Sequence, residues 1–180
     1  QKEIYLIGAY NRVWTTEVSY SNEEVKTYFT VSSSGTLALD RDVNVKMKIN
    51  EELVDIYNKK YWTVLNEDKY YKSLDTDLYS IPSLENTVIK HAEGISAEVP
   101  VLIKTASLKI DQSYVIPVEI ESTTGYPISE SGYKMLILLK LKNDYSGSYQ
   151  MSGHTTLEGE TPKTIQKPKT IKPTGVNTVR

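Results

Sequence analysis

The sequence contains no cysteine, which removes disulfide frameworks, thiolate nucleophiles and cysteine-based zinc sites together. Its two histidines, His91 and His154, lie in separate segments with no second His or Cys at ligand spacing. Each therefore reads as an ordinary polar side chain. No G-x-S-x-G elbow, P-loop or dinucleotide fingerprint occurs. No apolar run approaches the roughly 18 residues of a membrane-spanning helix, and no signal peptide is visible. The chain opens at Gln1 rather than Met and reads as a mature or trimmed form, compatible with prior removal of an export signal or a lipid-anchor cysteine. Charge of one sign is also lacking. The net charge of −2 is too balanced for the electrostatic footprint of nucleic-acid binding, and no basic stripe interleaved with aromatics compensates.

What is present is a globular composition, 39% hydrophobic and 24% charged over 180 residues, enough for one domain with a real core and the start of another. There are 14 tyrosines against one phenylalanine, a balance suited to positions half in a core and half in water. Charge is uneven along the chain. Residues 1–149 hold 16 Lys+Arg and 21 Asp+Glu, whereas residues 150–180 hold 5 and 2.

Strand periodicity dominates. "VNVKMKI" sends Val43, Val45, Met47 and Ile49 to one face and Asn44, Lys46 and Lys48 to the other, as a half-buried antiparallel strand does. "AEVPVLIK" groups Ala97, Val99, Val101 and Ile103, and "YVIPVEI" groups Tyr114, Ile116, Val118 and Ile120. "KMLILLKLK" places Met135, Ile137, Leu139 and Leu141 together with Leu136 and Leu138 behind them, the pattern of a strand covered on both sides. Weaker runs at Glu3 to Ala9, Val25 to Ser32, Leu78 to Ile81 and Thr87 to His91, with turn signals between them, complete the set. The expected fold is all-β: an Ig-like antiparallel β-sandwich with one short helix and Val45, Met47, Val99, Val101, Ile116, Val118, Ile137 and Leu139 in the core. Pro100 and Pro117 interrupt two of these strands. Proline has no N–H for a ladder, so both predict kinked edge strands.

The one helix is expected at about 51–60: Asn50 is a plausible N-cap, Glu51 and Glu52 complement the positive end, and Lys59 and Lys60 the negative end. Leu53, Ile56 and Tyr57 supply its packing stripe. From Tyr61 to Ser80 an irregular loop is expected over one end of the sandwich. The chain changes character after Leu141, where "PKTIQKPKTIKP" repeats PKTI with Ile165 and Ile171 on one face. Residues 1–143 are thus assigned to the sandwich and 144–180 to the truncated start of a second β domain or an extended tail.

Carboxylates at Glu23, Glu24, Asp75, Asp77 and Glu85 could be paired for glycoside hydrolysis, but solvated strand ends and loop caps explain them more simply. Asp40 and Asp42 in "LDRDVN" could offer oxygens to calcium, with an ordinary turn as the simpler reading. The better candidates are rings. Tyr61, Trp62, Tyr70 and Tyr71 fall in the expected loop region, and Trp14 follows a strand. Flat rings on loops stack on sugar faces; the alternative is that they plug the end of the sandwich.

"NTVIKHAEGISAEVPVLI" (86–103), "LKIDQSYVIPVEIESTTGYPIS" (108–129) and the hydrophobic closing strand resemble the N-terminal Ig-like module of Bacteroidetes cell-surface glycan-utilisation lipoproteins, long catalogued as a domain of unknown function. The resemblance covers residues 2–142, and "DYSGSYQMSGHTT" is similar to the start of the β domain that follows the module. It implies an exported, lipid-anchored protein facing outward from the outer membrane, encoded with glycan-capture and glycan-degradation machinery. In relatives the module precedes lectin-like or family 18 glycosidase domains and is not itself catalytic. It transfers no site residues.

The expected function is accordingly that of a non-catalytic module serving as spacer, scaffold or weak glycan binder, with no cofactor and no metal. Its expected partners are a glycan or neighbouring surface glycan-utilisation proteins, not nucleic acid, and a membrane only through a lipid anchor outside this chain. The alternatives are a protein-interaction or adhesion module without sugar affinity, and a hydrolase whose site periodicity does not reveal. Tyr61, Trp62, Tyr70 and Tyr71 are the candidate stacking residues.

Overall fold

The computed structural model describes residues 2–62, 64–156, 158–159 and 161–180. In chain order the strands and helix are β1 (Ile4–Leu6), β2 (Val13–Ser19), β3 (Glu24–Ser33), β4 (Val43–Ile49), α1 (Glu52–Tyr61), β5 (Lys72–Ser73), β6 (Tyr79–Ser80) and β7 (Thr87–Ile89). They continue with β8 (Ser96–Lys104), β9 (Tyr114–Thr123), β10 (Lys134–Lys142), β11 (Gly147–Thr155), β12 (Lys163–Ile171), β13 (Pro173–Gly175) and β14 (Thr178–Val179). One sheet runs β1-β3-β8-β6; the other runs β2-β10-β9-β4-β7, with β5 beside β9. Their inner faces share one core, so the fold is an Ig-like sandwich.

The period-two pattern does what it must. In β4, Val43, Val45 and Met47 are buried while Asn44, Lys46 and Lys48 are exposed. All eight expected core residues are buried. The closing strand is covered on both sides: Met135, Ile137 and Leu139 enter the main core, and Leu136 faces outward into a second cluster with Val115 and with Leu53 and Val54 of α1. The helix thus lies on the outer face of the second sheet. Its stripe is Leu53, Val54, Tyr57 and Asn58, and Ile56, expected to pack, is 55% exposed.

Among the described residues, two strand pairings depart from a purely antiparallel sandwich. β2, unexpected from sequence, runs parallel to β10 with Val13 opposite Leu136 and Ser19 opposite Lys142, and β5 runs parallel to β9. Lys140 and Lys142 grip the Glu17 carboxylate across the β2–β10 pair at 3.0 and 2.8 Å. These bonds, Lys142's foremost, lower its pKa to about 2.

Both prolines occupy interior strands rather than edges. The reason they fit lies in who neighbours them. Pro117 is opposite Leu136, whose amide points away to Arg12 O at 2.8 Å, so the proline nitrogen faces the other side of β9. On that side β5 pairs with Tyr114 and Val115 and β4 from Val118 onward. Pro117 sits at the changeover, where no ladder bond from its nitrogen is required, and its carbonyl accepts from Asn50 N at 3.1 Å. Pro100 lies beyond the reach of β6, whose pairs stop at Leu102. The register shift falls elsewhere: between Lys46 and Met47 the partner jumps from Ser122 to Ile120, leaving Glu121 as the extra residue, 2.7 Å from Lys46 Nζ.

Beyond the body, β11 and β12 form an antiparallel hairpin in which Ile165 faces Gly153 and Ile171 faces Gly147. The repeated isoleucine of PKTI therefore covers positions without a side chain. Asn143 Nδ2 ties the β13–β14 turn back to the body through Gly175 O and Thr178 O at 2.8 and 3.0 Å. Thr63, Leu157 and Glu160, within the expected loop and tail, lie outside the described residues. Because the main core ends at Leu139 and half-buried Leu141, a chain ended after Asp144 is expected to keep one cooperative unfolding transition by calorimetry. Loss of cooperativity would show that the hairpin supplies core to the body.

Candidate functional site

The site grows from α1. Asn50 Oδ1 accepts from Glu52 N at 3.2 Å, Glu52 and Asp55 occupy the first turn, and Lys59 and Lys60 occupy the last. Charge and cap therefore both favour a helix here. Its spacing puts Tyr57 and Tyr61 one turn apart on a shared face, with ring centroids 4.4 Å apart. Tyr71 also stacks on Tyr57, with centroids 5.2 Å apart and planes at 10°.

What holds Tyr71 there is not its ring alone. Asn58, buried in α1, donates from Nδ2 to Tyr71 O and accepts at Oδ1 from Tyr71 N, both at 2.9 Å. This two-bond clamp brings the chain after the helix back against it. Burial first, then the neighbouring Tyr71, raises the pKa of the Tyr57 phenol.

Of the four expected ring residues, Tyr61 and Tyr71 meet through Tyr57, and Tyr61 is 47% exposed. Trp62 is half-buried just past the helix, with Lys69 Nζ 5.6 Å from its ring; Tyr70 is half-buried beside Tyr71. Trp14, expected to follow a strand, lies within β2 and covers Gly8. A Cβ on that glycine, which has φ +92, would be 2.6 Å from Trp14 Cε3. Tyr57 was legible only as a packing residue.

Beside the ring stack is a cleft of about 350 Å³. One wall is α1, with Ile56, Tyr57 and Lys60; another is the turn at Tyr10 and Arg12; the third is the segment carrying Glu130 and Lys134. The turn at Ala9–Asn11 is bounded by two left-handed residues, Gly8 and Arg12 at φ 64. A side chain at that φ costs free energy. The bond from Leu136 N to Arg12 O holds it in place, and Tyr10 at the crest is 62% exposed.

The two calcium candidates, Asp40 and Asp42, are committed elsewhere. Asp40 binds Arg41 at 3.0 Å and accepts from the Tyr126 hydroxyl, which together hold its carboxyl well below the usual range. Asp42 Oδ1 accepts from His91 N at 3.0 Å and lies 2.6 Å from His91 Nδ1, so its pKa is likewise lowered. His154 sits on the exposed hairpin, 3.2 Å from the Thr164 hydroxyl. Among the described residues, no three His, Asp or Glu gather as a metal-ligand group.

No curated protein matches the sequence, whereas solved structures match its fold. A Bacteroides ovatus protein of unknown function superposes with a TM-score of 0.71 at 20% identity, covering 93% of this chain and 56% of its own. An auxiliary nutrient binding protein from Bacteroides thetaiotaomicron gives 0.65 at 17%, covering 94% and 59%. EndoBT-3987 from the same species, with a Man5GlcNAc product, gives 0.56 at 19%, covering 80% and 33%. This chain thus spans little more than half of the first two and a third of the last. One family model, for an N-terminal domain, matches residues 1–127, and its C-terminal companion matches residues 133–180. The chain belongs to this two-part family, the N-terminal model covering its residues 1–127 and the C-terminal model its residues 133–180.

Proposed function

We propose that the chain is a non-catalytic module of an exported surface lipoprotein devoted to glycan capture, and that it holds sugar on the ring face at the end of α1. The observation that carries this reading is the Tyr57–Tyr61–Tyr71 stack, pinned by Asn58 and presenting the half-exposed Tyr61. Ring stacking needs a flat face on a rigid frame. The proposed surface also includes Trp62 and Tyr70, the half-buried sequence neighbours of Tyr61 and Tyr71. The family and the nutrient-binding description of one structural relative support the setting.

The absence of catalysis in this proposal has a geometric basis. Glycoside hydrolysis uses two carboxyls flanking the bond. Of the described residues, Glu130 is the carboxylate lining the cleft beside the stack, and Glu17, in the cleft at the hairpin root, is engaged by two lysines.

A glycan array followed by affinity electrophoresis tests the proposal. Tyr61→Ala is expected to weaken retention by roughly 2- to 10-fold, the value of one ring contact, with the melting temperature unchanged. Unaltered retention would remove the stack as the binding surface. A second reading, a protein-contact module, rests on the hairpin, where Tyr145, Tyr149 and Met151 are each about half exposed. Affinity for a neighbouring surface protein, with retention on no glycan, would favour it.

A further inference from the structure

The cleft beside the ring stack has a charge character that stacking does not require. Three cations line it, Arg12, Lys60 and Lys134, against one carboxylate, Glu130, a local balance of 3 − 1 = +2. Over residues 1–149 the balance is 16 − 21 = −5, so this concentration runs against the body that bears it. None of the three takes part in an ion pair among the described residues. Lys60 Nζ lies 5.6 Å from the Tyr61 ring centroid and Lys134 Nζ 4.8 Å from that of Tyr133. Lys134 thus sits on a ring that also lines the cleft, and Lys60 on the exposed end of the stack. Other lysines of the sheets, such as Lys46, Lys140 and Lys142, have carboxylate partners at 2.7–3.0 Å.

Arg12 is the most telling. Its backbone is held left-handed at φ 64, a conformation that lies with strain at ligand clamps more often than elsewhere, and a guanidinium offers the planar fork that fits a carboxylate or sulfate. The volume, about 350 Å³, falls in the range of small-molecule clefts.

We infer that this cleft recognises an anionic sugar residue, one bearing a carboxylate or sulfate, whose charge is met by Arg12, Lys60 and Lys134 while its ring continues onto Tyr57 and the stack. Glu130 then serves as acceptor for sugar hydroxyls. The inference rests on the glycan-capture reading and narrows its substrate class.

The test is calorimetric titration of the intact chain with a glucuronate-containing oligosaccharide, its carboxyl-reduced neutral counterpart and a sulfated neutral-backbone oligosaccharide. The anionic probes are expected to bind at least about tenfold tighter than the neutral one, as charge-assisted hydrogen bonds do, with the advantage shrinking as salt rises. Whichever anionic probe shows that advantage identifies the source of the charge. K60Q/K134Q is expected to remove most of the advantage, with the melting temperature unchanged. Equal binding of all three, or an advantage that survives K60Q/K134Q, overturns the inference and leaves glycan capture standing. Binding of none of them, with retention on no glycan in the array, overturns both.

Discussion

Asn58→Ala is expected to destabilise the chain by about 2–4 kcal/mol and to lower its melting temperature by roughly 5–15 °C. The side chain is only 5% exposed and satisfies both backbone groups of Tyr71 at once. Alanine leaves an N–H and a C=O without partners in a partly buried position. Each orphaned group costs roughly 1–3 kcal/mol, far more than the net worth of an intact bond. Asn58→Asp separates the two bonds. Its carboxylate still accepts from Tyr71 N but donates to Tyr71 O only when protonated, so burial and that donation should raise its folded pKa above the unfolded value. The recovered stability is then present below the unfolded pKa and lost as pH rises through the folded one. Chemical denaturation of both variants across acid pH checks this. A change under about 0.5 kcal/mol for Asn58→Ala would mean that water replaces the clamp freely.

The second large effect is expected at the only phenylalanine. Phe29 is 2% exposed, sits in β3 opposite Val99, and heads the fully buried side chains by volume. Phe29→Ala should cost about 3–5 kcal/mol, because two sheets held by their own ladders cannot close over the void. Phe29→Leu, which refills most of the volume, should cost under about 1.5 kcal/mol. Both should shift the denaturant midpoint without changing the slope. Similar costs for the two would place the penalty in ring contacts rather than in the cavity.

How far the sequence foretells this depends on what each residue does. Val45, Met47, Val99, Val101, Ile116, Val118, Ile137 and Leu139 announce themselves because a half-buried strand leaves a period of two. β2 leaves none. Six of its seven residues, all but Val18, are exposed or half-buried, so "VWTTEVS" has no buried face to encode. Pro117 misleads for a related reason. The rule that confines proline to edges concerns a single missing donor, and whether a neighbour needs that donor depends on where β4 and β5 end along β9. In the site, Tyr61 and Tyr71 are visible as rings, but Tyr57, which joins them, reads as helix packing. Arg12, Lys60 and Lys134 come together only through folding. No spacing rule links a turn after β1, the last turn of a helix and the start of β10.

That parallel β2–β10 pair sets an order of events. β10 is inserted between β2 and β9, pairing Leu136 with Val13 on one side and with Pro117 on the other. The second sheet therefore cannot be completed until the chain has been synthesised through Lys142. Contacts of such long sequence separation slow closure, since loop entropy is lost before they form. A nascent chain that has emerged only as far as β9 presents two strands with free hydrogen-bonding edges, each a template for another molecule. The last strand of the body is thus also its closure, and the interval before its arrival is when the protein is most exposed to aggregation.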